Sequence, residues 1–246
     1  ETGARVQSLP RHRLEGWRMA VGLAVCGVPL AFGFLLPAVQ LLAWVARTAG
    51  HMLDADFLRI TGNSLMLAGS AALVTLLVGL FMAYGKRLHG DRLVQGAVRV
   101  AGMGYAIPGT VIAIGVMIPF AWFDNSVDAW MRARFDFSTG LLLSGTLVAL
   151  LFAYMVRFLA VALQTAEAGL GKIRPSMDEA ARALGLGPLE VLKKVHVPML
   201  RGSLITAMLL VFVDVLKELP ATLVLRPFNF NTLAVRTYEL AADERL

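Results

Sequence analysis

Three charged side chains stand close together in an apolar segment near the C-terminal end of the sequence. Asp214, Lys217 and Glu218 lie within or at the end of an apolar run at 202–225. Charges at membrane depth are costly and usually face protein or a water-filled cavity. Asp214 and Lys217 are also three residues apart, a spacing at which they can neutralise each other on one helix face. The sequence leaves open whether these side chains line a pathway for a solute or only pair with one another.

Elsewhere the sequence offers little reactive chemistry. Residues 169–172, GLGK, superficially resemble a phosphate-binding loop, but Ile173 replaces the hydroxyl residue and the upstream glycine is missing. Cys26 is the only cysteine, so neither an intrachain disulfide nor a cysteine metal cluster is predicted. The histidines lie in separate flanks and loops, where solvated side chains are more common than ligands: His12, His51, His89 and His196. We predict no catalytic group, no metal site and no cofactor.

A compact polar segment at 176–198, SMDEAARALGLGPLEVLKKVHVP, interrupts the apolar sequence. Ser176 and Glu179 have the spacing of a capping box at the start of a helix. Gly185 follows about two turns of good helix formers, where a left-handed cap would end that helix. An apolar membrane protein has little use for such a segment unless something outside the membrane binds it.

The second half of this segment predicts another short helix. It begins at Pro188, because proline is tolerated in a first turn, and Pro198 limits it. The first helix is expected to expose a small, smooth face suited to docking in a groove; this face consists of Ala180, Ala181, Ala183 and Leu184. Glu179 has two possible roles, as the cap of its own helix and as a carboxylate offered to a basic residue of a partner.

Composition places the chain in a membrane. Hydrophobic residues make up 57% of the 246 residues and charged residues 16%, with a mean hydropathy of +0.68. Apolar runs of the roughly 20 residues needed to cross a bilayer recur at 19–45, 64–84, 100–122, 140–163 and 202–225. Each should be a helix, because backbone groups in lipid must satisfy their own hydrogen bonds. We expect Pro108 to kink the third helix, and such a kink could line a pathway.

Basic residues alternate between the loops that join these runs. Arginine and lysine crowd the first flank, the loop after the second span and the 165–201 loop, whereas the intervening loops hold few. This positive-inside pattern predicts that the N-terminus and the 165–201 loop are cytoplasmic. It also accounts for the net charge of +6 without nucleic acid. We expect Arg157 near the cytoplasmic end of the fourth span, where its long side chain can reach the interface.

The polar segment also carries a family resemblance. Glu179-Ala180-Ala181, three residues, Gly185, nine residues and VHVP resemble the EAA signature of permease subunits in binding-protein-dependent ABC importers. Two valines replace the isoleucine and leucine of the family pattern. The resemblance implies an all-α, MetI-like permease core and a cytoplasmic loop whose coupling helices sit in a cleft of a separate ATPase dimer. The residues that it assigns to this contact are Glu179, Ala180, Ala181, Gly185 and Pro198.

A narrower resemblance concerns the cargo. The segments GYAIPGTVIAIG, YMVRFLAVA and 211–245 are similar to ferric-iron importer permeases, which commonly fuse two permease halves in one chain. This resemblance makes 18–246 one permease domain, similar to the second half of such a fusion with its closing span missing, and 1–17 a basic flank or connector. It implies ferric iron or a ferric chelate as cargo, a periplasmic solute-binding protein as donor, the bacterial inner membrane as location, and no ATP hydrolysis by this chain.

Other functions stay open at this point. The same architecture could import thiamine, a polyamine, phosphate or another anion. An ion-driven secondary transporter would need no ATPase, and Lys217 and Glu218 are compatible with the midplane charges of such proteins, although the EAA-like segment argues against it. An intramembrane enzyme would need a nucleophile–base pair or a metal set, which the sequence does not show.

Overall fold

The computed structural model describes residues 15–243, and this part of the chain contains helices and no strands. The predicted basic flank, 1–17, lies almost wholly outside the described residues, as do His12 and the side chain of His51. Five helices are long and apolar enough to cross a bilayer: Trp17–Gly50, Ala55–Leu88, Gly109–Phe135, Leu147–Leu170 and Pro188–Leu216. The all-helical, polytopic fold expected from composition is confirmed.

The chain divides into two compact units, of which the first is 1–57. Its described part contains α1 (Trp17–Leu30), a π-helical turn (Ala31–Leu35) and α2 (Leu36–Met52). Pro29 lies inside α1, and the π-helical turn directly precedes Pro37 in the first turn of α2, where a wider turn accommodates the N–H that this proline lacks. The apolar side chains of this segment are nearly all exposed. The predicted span at 19–45 is confirmed as part of one continuous helix.

The second unit, 58–246, contains the packed core. Its principal helices are α3 (Ala55–Leu88), α5 (Gly109–Phe135), α6 (Leu147–Leu170) and α9 (Val197–Leu216). α6 lies at the centre and packs against α5 and α9. Small side chains let membrane helices approach closely, and the buried small residues of α6 are Ala149, Ala153, Ala160, Ala162, Ala166 and Gly169.

The third apolar run is broken rather than kinked. The chain passes from α4 (Arg92–Ala101) through a short 3-10 turn (Gly104–Ala106) into α5. A residue before proline avoids the helical region, and Ile107 is accordingly extended, with ψ 134°. Pro108 is therefore the N-cap residue of α5, and the prediction of one helix over 100–122 with a kink inside it is wrong.

The fifth apolar run is broken as well. α9 ends at Leu216, and a separate short helix, α10 (Pro220–Leu225), follows it. Pro220 lacks the backbone donor that a continuing helix would need, and it takes the first position of α10 instead. The prediction of a single span over 202–225 is therefore wrong, and Lys217 and Glu218 lie in the break.

The helix before that break begins earlier in the sequence than predicted. α8 (Pro188–Val191) continues through a π-helical turn (Leu192–His196) into α9, so one helix runs over Pro188–Leu216. Pro188 does begin a helix, as predicted. Pro198 does not end that helix. The π-helical turn just before it accommodates the backbone N–H that proline lacks.

The fourth helix is displaced along the sequence from its predicted position. The predicted run was 140–163, whereas α6 begins after Thr146, whose hydroxyl accepts a hydrogen bond from the Val148 N–H. Arg157 consequently lies near the middle of α6, and the prediction that it reaches an interface from the helix end is wrong. α11 (Leu233–Ala242) completes the described helices.

α3 and α6 approach each other at a glycine, and this contact generates a test of the packing. A Cβ at Gly79 would lie 3.0 Å from Ala162 Cβ and 3.1 Å from the backbone nitrogen of Leu163. We expect Gly79→Val to destabilise the protein by about 1–3 kcal/mol, because the opposing backbone cannot move aside. Thermal unfolding of the purified protein in detergent measures this loss.

The matched control is Gly62→Val on the same helix. Gly62 is exposed, and a Cβ there would meet nothing within 4 Å. Its substitution should leave the unfolding temperature close to that of the wild type. Equal effects of the two substitutions would contradict the close packing of α3 on α6.

Candidate functional site

The two helix breaks meet α6 inside the bundle, at the side chain of Arg157. Its Nε lies 3.1 Å from Glu218 Oε2, across the break between α9 and α10. Its Nη1 donates a hydrogen bond of 2.9 Å to the carbonyl oxygen of Ile107, in the break before α5. The side chains of Arg157 and Glu218 are only 20% and 7% exposed. One guanidinium thus contacts both interrupted segments.

The carboxylate of Glu218 is held from more than one side. Its Oε1 accepts a hydrogen bond of 3.3 Å from the Ala221 N–H at the start of α10. The same oxygen lies directly against Gly109, where a Cβ would collide with it and would lie 2.9 Å from Arg157 Nη1. Gly109 begins α5, and the positive end of a helix dipole favours a carboxylate. The absence of a side chain at Gly109 therefore makes room for this pair.

A second polar link fixes α10 on α6. The hydroxyls of Tyr154 and Thr222 are 2.5 Å apart, and Thr222 Oγ1 donates to the carbonyl oxygen of Glu218. Tyr154 and Thr222 are both fully buried, and buried hydroxyls need such partners. The break after α9 is accordingly joined to α6 by the hydroxyl of Thr222 and by the carboxylate of Glu218.

Asp214 and Lys217 form the pair that their spacing predicted. Lys217 Nζ lies 2.8 Å from Asp214 Oδ1, with the lysine side chain 69% exposed. The break residues around Pro108 are exposed too, over 105–108. Irregular backbone is not tolerated against lipid, so this face differs from the apolar faces of the other long helices. The sequence places Asp214, Lys217 and Glu218 on one short segment. Nothing in it predicts that Glu218 contacts Arg157 or that Arg157 also reaches the break before Pro108.

The polar segment forms an exposed element at one end of the bundle. α7 (Pro175–Ala183) starts at Pro175, preceded by Arg174 without a side-chain cap. Ser176 therefore lies inside the helix, and the predicted capping box with Glu179 is wrong. Gly185 has φ +83°, which confirms the left-handed position expected for it. We call residues 175–196 the insert.

Arg87, at the end of α3, anchors the insert. Its Nε lies 2.8 Å from Asp178 Oδ2. Its Nη1 and Nη2 donate to the carbonyl oxygens of Leu170, at 2.5 Å, and Ile173, at 2.9 Å. A guanidinium presents its donors in a rigid fork, and here that fork joins the ends of α3 and α6 to α7.

His196 supports the same anchor from the other side. It is fully buried, and its Nε2 lies 2.7 Å from Asp178 Oδ1, out of line for a well-formed hydrogen bond. Its ring is 5.3 Å from that of Tyr84, whose hydroxyl donates to the Pro188 carbonyl at 2.8 Å. The expectation of a solvated histidine is wrong for His196. The signal that sequence reasoning missed was its place between valines in a helical pattern.

The outer face of the insert differs in part from the predicted docking face. Ala181 is buried against the chain itself, so it does not belong to that face. Leu184 is 82% exposed, and Leu189 on α8 is exposed as well. The other residues singled out from the signature are exposed: Glu179, Ala180, Gly185 and Pro198. Ala180 and Leu184 of the insert are thus exposed beside the carboxylate of Glu179.

The chemistry of both regions is electrostatic. Among the described residues, no group of histidine, cysteine and carboxylate side chains could hold a metal ion. The Arg157–Glu218 pair joins helices, and the insert exposes charged and apolar side chains outside the helix bundle. Neither arrangement presents a nucleophile beside a base.

Known proteins resemble this chain over most of its length. The family model described as "Binding-protein-dependent transport system inner membrane component" matches 75–237, which is more than half of the chain and includes both regions. An Fe(3+)-transport system permease protein of Haemophilus influenzae is 24% identical over 228 residues, which are 87% of this chain and 42% of that protein. A ferric transport system permease protein of Actinobacillus pleuropneumoniae is 27% identical over 65% of this chain and 21% of that protein.

Another relative differs in its named substrate and in its length. A putative 2-aminoethylphosphonate transport system permease protein of Salmonella typhimurium is 26% identical over 236 residues, 91% of this chain and 83% of that protein. The chain thus spans less than half the length of the two ferric relatives and most of the length of the phosphonate one.

The anchor of the insert generates a test of stability. We expect Asp178→Asn to cost on the order of 3 kcal/mol, because it leaves the buried charge of Arg87 without its carboxylate. Thermal unfolding in detergent measures the loss, and limited trypsin digestion should show earlier cleavage in the insert. The control is Lys194→Gln, which breaks the exposed Glu190–Lys194 pair and should cost less than about 1 kcal/mol. If both variants lost the same stability, the anchor would be refuted.

Proposed function

The chain belongs to the family of binding-protein-dependent transport system inner membrane components, and we propose that it imports ferric iron or a ferric chelate as the permease subunit of an ABC transporter. The family is one of transport permeases, not a class of enzymes. The observation that carries the proposal is the insert: an exposed, firmly anchored pair of helices inside the matched region. A separate ATPase dimer is the partner that such an element fits.

We propose that the insert couples this partner to the membrane helices. The carboxylate of Glu179 is exposed and has no partner among the described residues, so it is available to a basic residue of the ATPase. Ala180 and Leu184 supply apolar contact beside it, and Gly185 turns the chain back toward the bundle. Because Arg87 ties the insert to two other helices, movement of the insert would move the bundle.

The exposed face with the two breaks is our proposed translocation pathway. Pro108 and Lys217 are exposed on it, and Asp214 and Glu218 lie more deeply buried beside them; these are the four residues expected there from sequence. Charged side chains and irregular backbone at membrane depth are compatible with a water-filled cavity or a protein neighbour. A second permease half, fused or separate, would supply the opposite wall, and the greater length of the ferric relatives supports a fusion.

The orientation follows from the charges near the insert. Lys86 and Arg87 lie at the same end of the bundle as the insert, and the positive-inside rule favours the cytoplasm for that end. We propose a cytoplasmic N-terminus on the same grounds. A periplasmic binding protein would then meet the opposite end, where the loop between α10 and α11 exposes Phe228 almost completely.

The cargo has a second candidate among the relatives. Two of the relatives cited above are named for ferric iron, which matches the narrower sequence resemblance. The relative named for 2-aminoethylphosphonate is aligned over 83% of its own length, and it supports import of a phosphonate or another anion through the same architecture. None of the relatives cited above is named for thiamine or a polyamine.

The coupling role predicts a loss of assembly without a loss of fold. Since Glu179 is exposed and does not cap α7, Glu179→Arg should leave the thermal stability of the permease unchanged. It should reduce co-purification of the ATPase and cargo uptake, because it replaces the carboxylate offered to the partner by a like charge. Unchanged co-purification and uptake would refute the coupling role.

A pair of glycine variants supplies the matched control. Gly185→Ala forces a side chain into a conformation with φ +83° and should disturb the end of α7 and weaken ATPase binding. Gly187 has φ −72°, and a Cβ there would meet only Glu190 at 3.9 Å. Gly187→Ala should therefore behave like the wild type.

The cargo can be identified by measuring uptake in cells whose only importer of this class contains the permease. We expect saturable, ATP-dependent uptake of radiolabelled ferric iron that disappears when the permease is deleted. Excess 2-aminoethylphosphonate should not compete. Equal iron uptake with and without the permease would refute the iron assignment, and permease-dependent uptake of labelled 2-aminoethylphosphonate would favour the second candidate.

A further inference from the structure

The Arg157–Glu218 pair lies at the far end of the longest element that leaves the insert. The helix Pro188–Leu216 is continuous over 29 residues, which corresponds to about 43 Å at 1.5 Å per residue. Its first residue is bound to Tyr84, and its π-helical turn places His196 against Asp178. Glu218 follows directly after its last turn. A displacement of the insert would therefore travel along one rigid rod to the ion pair.

The two breaks are fixed to α6 in different ways. The 3-10 turn at Gly104–Ala106 lies against the backbone of α6, because a Cβ at Gly104 would collide with the carbonyl oxygen of Val156. This turn and α6 therefore form one packed body, to which the Arg157–Ile107 hydrogen bond also belongs. The short helix after the second break also packs on α5 and α6, through buried side chains such as Ala221 and Leu225, but the break itself reaches α6 through polar side chains. The Glu218 carboxylate and the hydroxyl of Thr222 join it to α6.

Stability alone explains this ion pair poorly. Removing two charges from water costs more than their attraction commonly returns, and apolar side chains of similar volume can often replace such pairs without loss. The neighbours on α6, such as Ala153 and Phe158, show that apolar packing serves this helix elsewhere. The other pair of the region, Asp214–Lys217, lies three residues apart on one stretch of chain and so joins no separate elements. Arg157–Glu218 joins separate elements.

From these contacts, and resting on the proposed function, we infer that Arg157 and Glu218 are positioning residues that latch the end of the α8–α9 rod to α6. The latch holds the translocation pathway closed while the ATPase is not engaged. Movement of the insert pulls the rod, separates the carboxylate from the guanidinium, and frees the break after α9 to move away from α5 and α6. No described part of the insert touches cargo in this scheme, and the latch acts whichever cargo is carried.

Gly109 allows the latch to be disturbed without removing a charge. A methyl group at this position would occupy the place of Glu218 Oε1 and lie 2.9 Å from Arg157 Nη1. Both are ends of flexible side chains, which can move aside while the fold is kept. Gly109→Ala should therefore loosen the pair. The matched control is Gly115→Ala on the same helix, where a Cβ meets nothing within 4 Å.

A second variant removes the charge and keeps the shape. Glu218→Gln retains an acceptor for the Ala221 N–H but no longer attracts Arg157 as an ion. The experiment reconstitutes each variant with its ATPase and any second permease half in proteoliposomes. It measures ATP hydrolysis without and with the binding protein, and cargo moved per ATP hydrolysed.

If the pair is a latch, its loss should change ATP hydrolysis and the cargo moved per ATP in opposite directions. Gly109→Ala and Glu218→Gln should raise hydrolysis without the binding protein several-fold and lower the cargo moved per ATP, because the closed state loses population. Gly115→Ala should match the wild type in both. A merely structural role would lower expression and all activities together and would not raise hydrolysis.

The outcomes that overturn the inference are distinct from those that overturn the proposed function. Wild-type coupling in both Gly109→Ala and Glu218→Gln refutes the latch. Failure of both variants to assemble, with Gly115→Ala intact, assigns the pair to the fold alone and also refutes it. If the wild-type permease recruits no ATPase, the proposed function fails instead.

Discussion

A backbone N–H or carbonyl group inside a bilayer finds no water to bind, and this constraint governs the whole molecule. It makes each long apolar run a helix. It also makes each interruption of a helix expensive unless the freed groups find partners within the protein. The interruptions at Pro108 and Pro220 are therefore the places where the chain departs from a simple bundle. Arg157 donates a hydrogen bond to a carbonyl in the first break and pairs with the carboxylate in the second. One side chain therefore contacts polar groups in both helix breaks.

Sequence reasoning succeeded where the cause is local. The number of spans follows from runs of apolar residues, the left-handed conformation of Gly185 from the helix that precedes it, and the Asp214–Lys217 contact from its spacing. It failed where the partner is distant in sequence. Asp178 and Arg87 are separated by 91 residues, and no periodicity relates them. The kink predicted at Pro108 is wrong because the residue before a proline avoids the helical region, and Ile107 is extended and ends the preceding turn.

The structure also separates two roles that the sequence had combined at Glu179. The expected capping box needed Ser176 as the N-cap, but Pro175 takes the first position of the helix and Arg174 is the N-cap, two residues earlier. Glu179 therefore does not cap its own helix, and its exposed carboxylate is available to a partner. Asp178 next to it points inward instead and holds the insert in place. Of these neighbouring acidic residues, Asp178 anchors the insert, and Glu179 is the one that the proposed function assigns to docking.

The length of the continuous helix over Pro188–Leu216 sets the scale of movement that the interior must follow. A tilt of about 5° around the middle of a rod about 43 Å long shifts each end by about 2 Å in opposite directions. The contacts of that rod with α6 near its midpoint, where Leu200 and Ser203 lie against Gly169, would barely shift. An angular change this small would nonetheless open the 3.1 Å gap between Arg157 and Glu218 beyond hydrogen-bonding distance. In the latch proposed above, the helix would act as a lever about these midpoint contacts, and a small tilt would move its two ends in opposite directions.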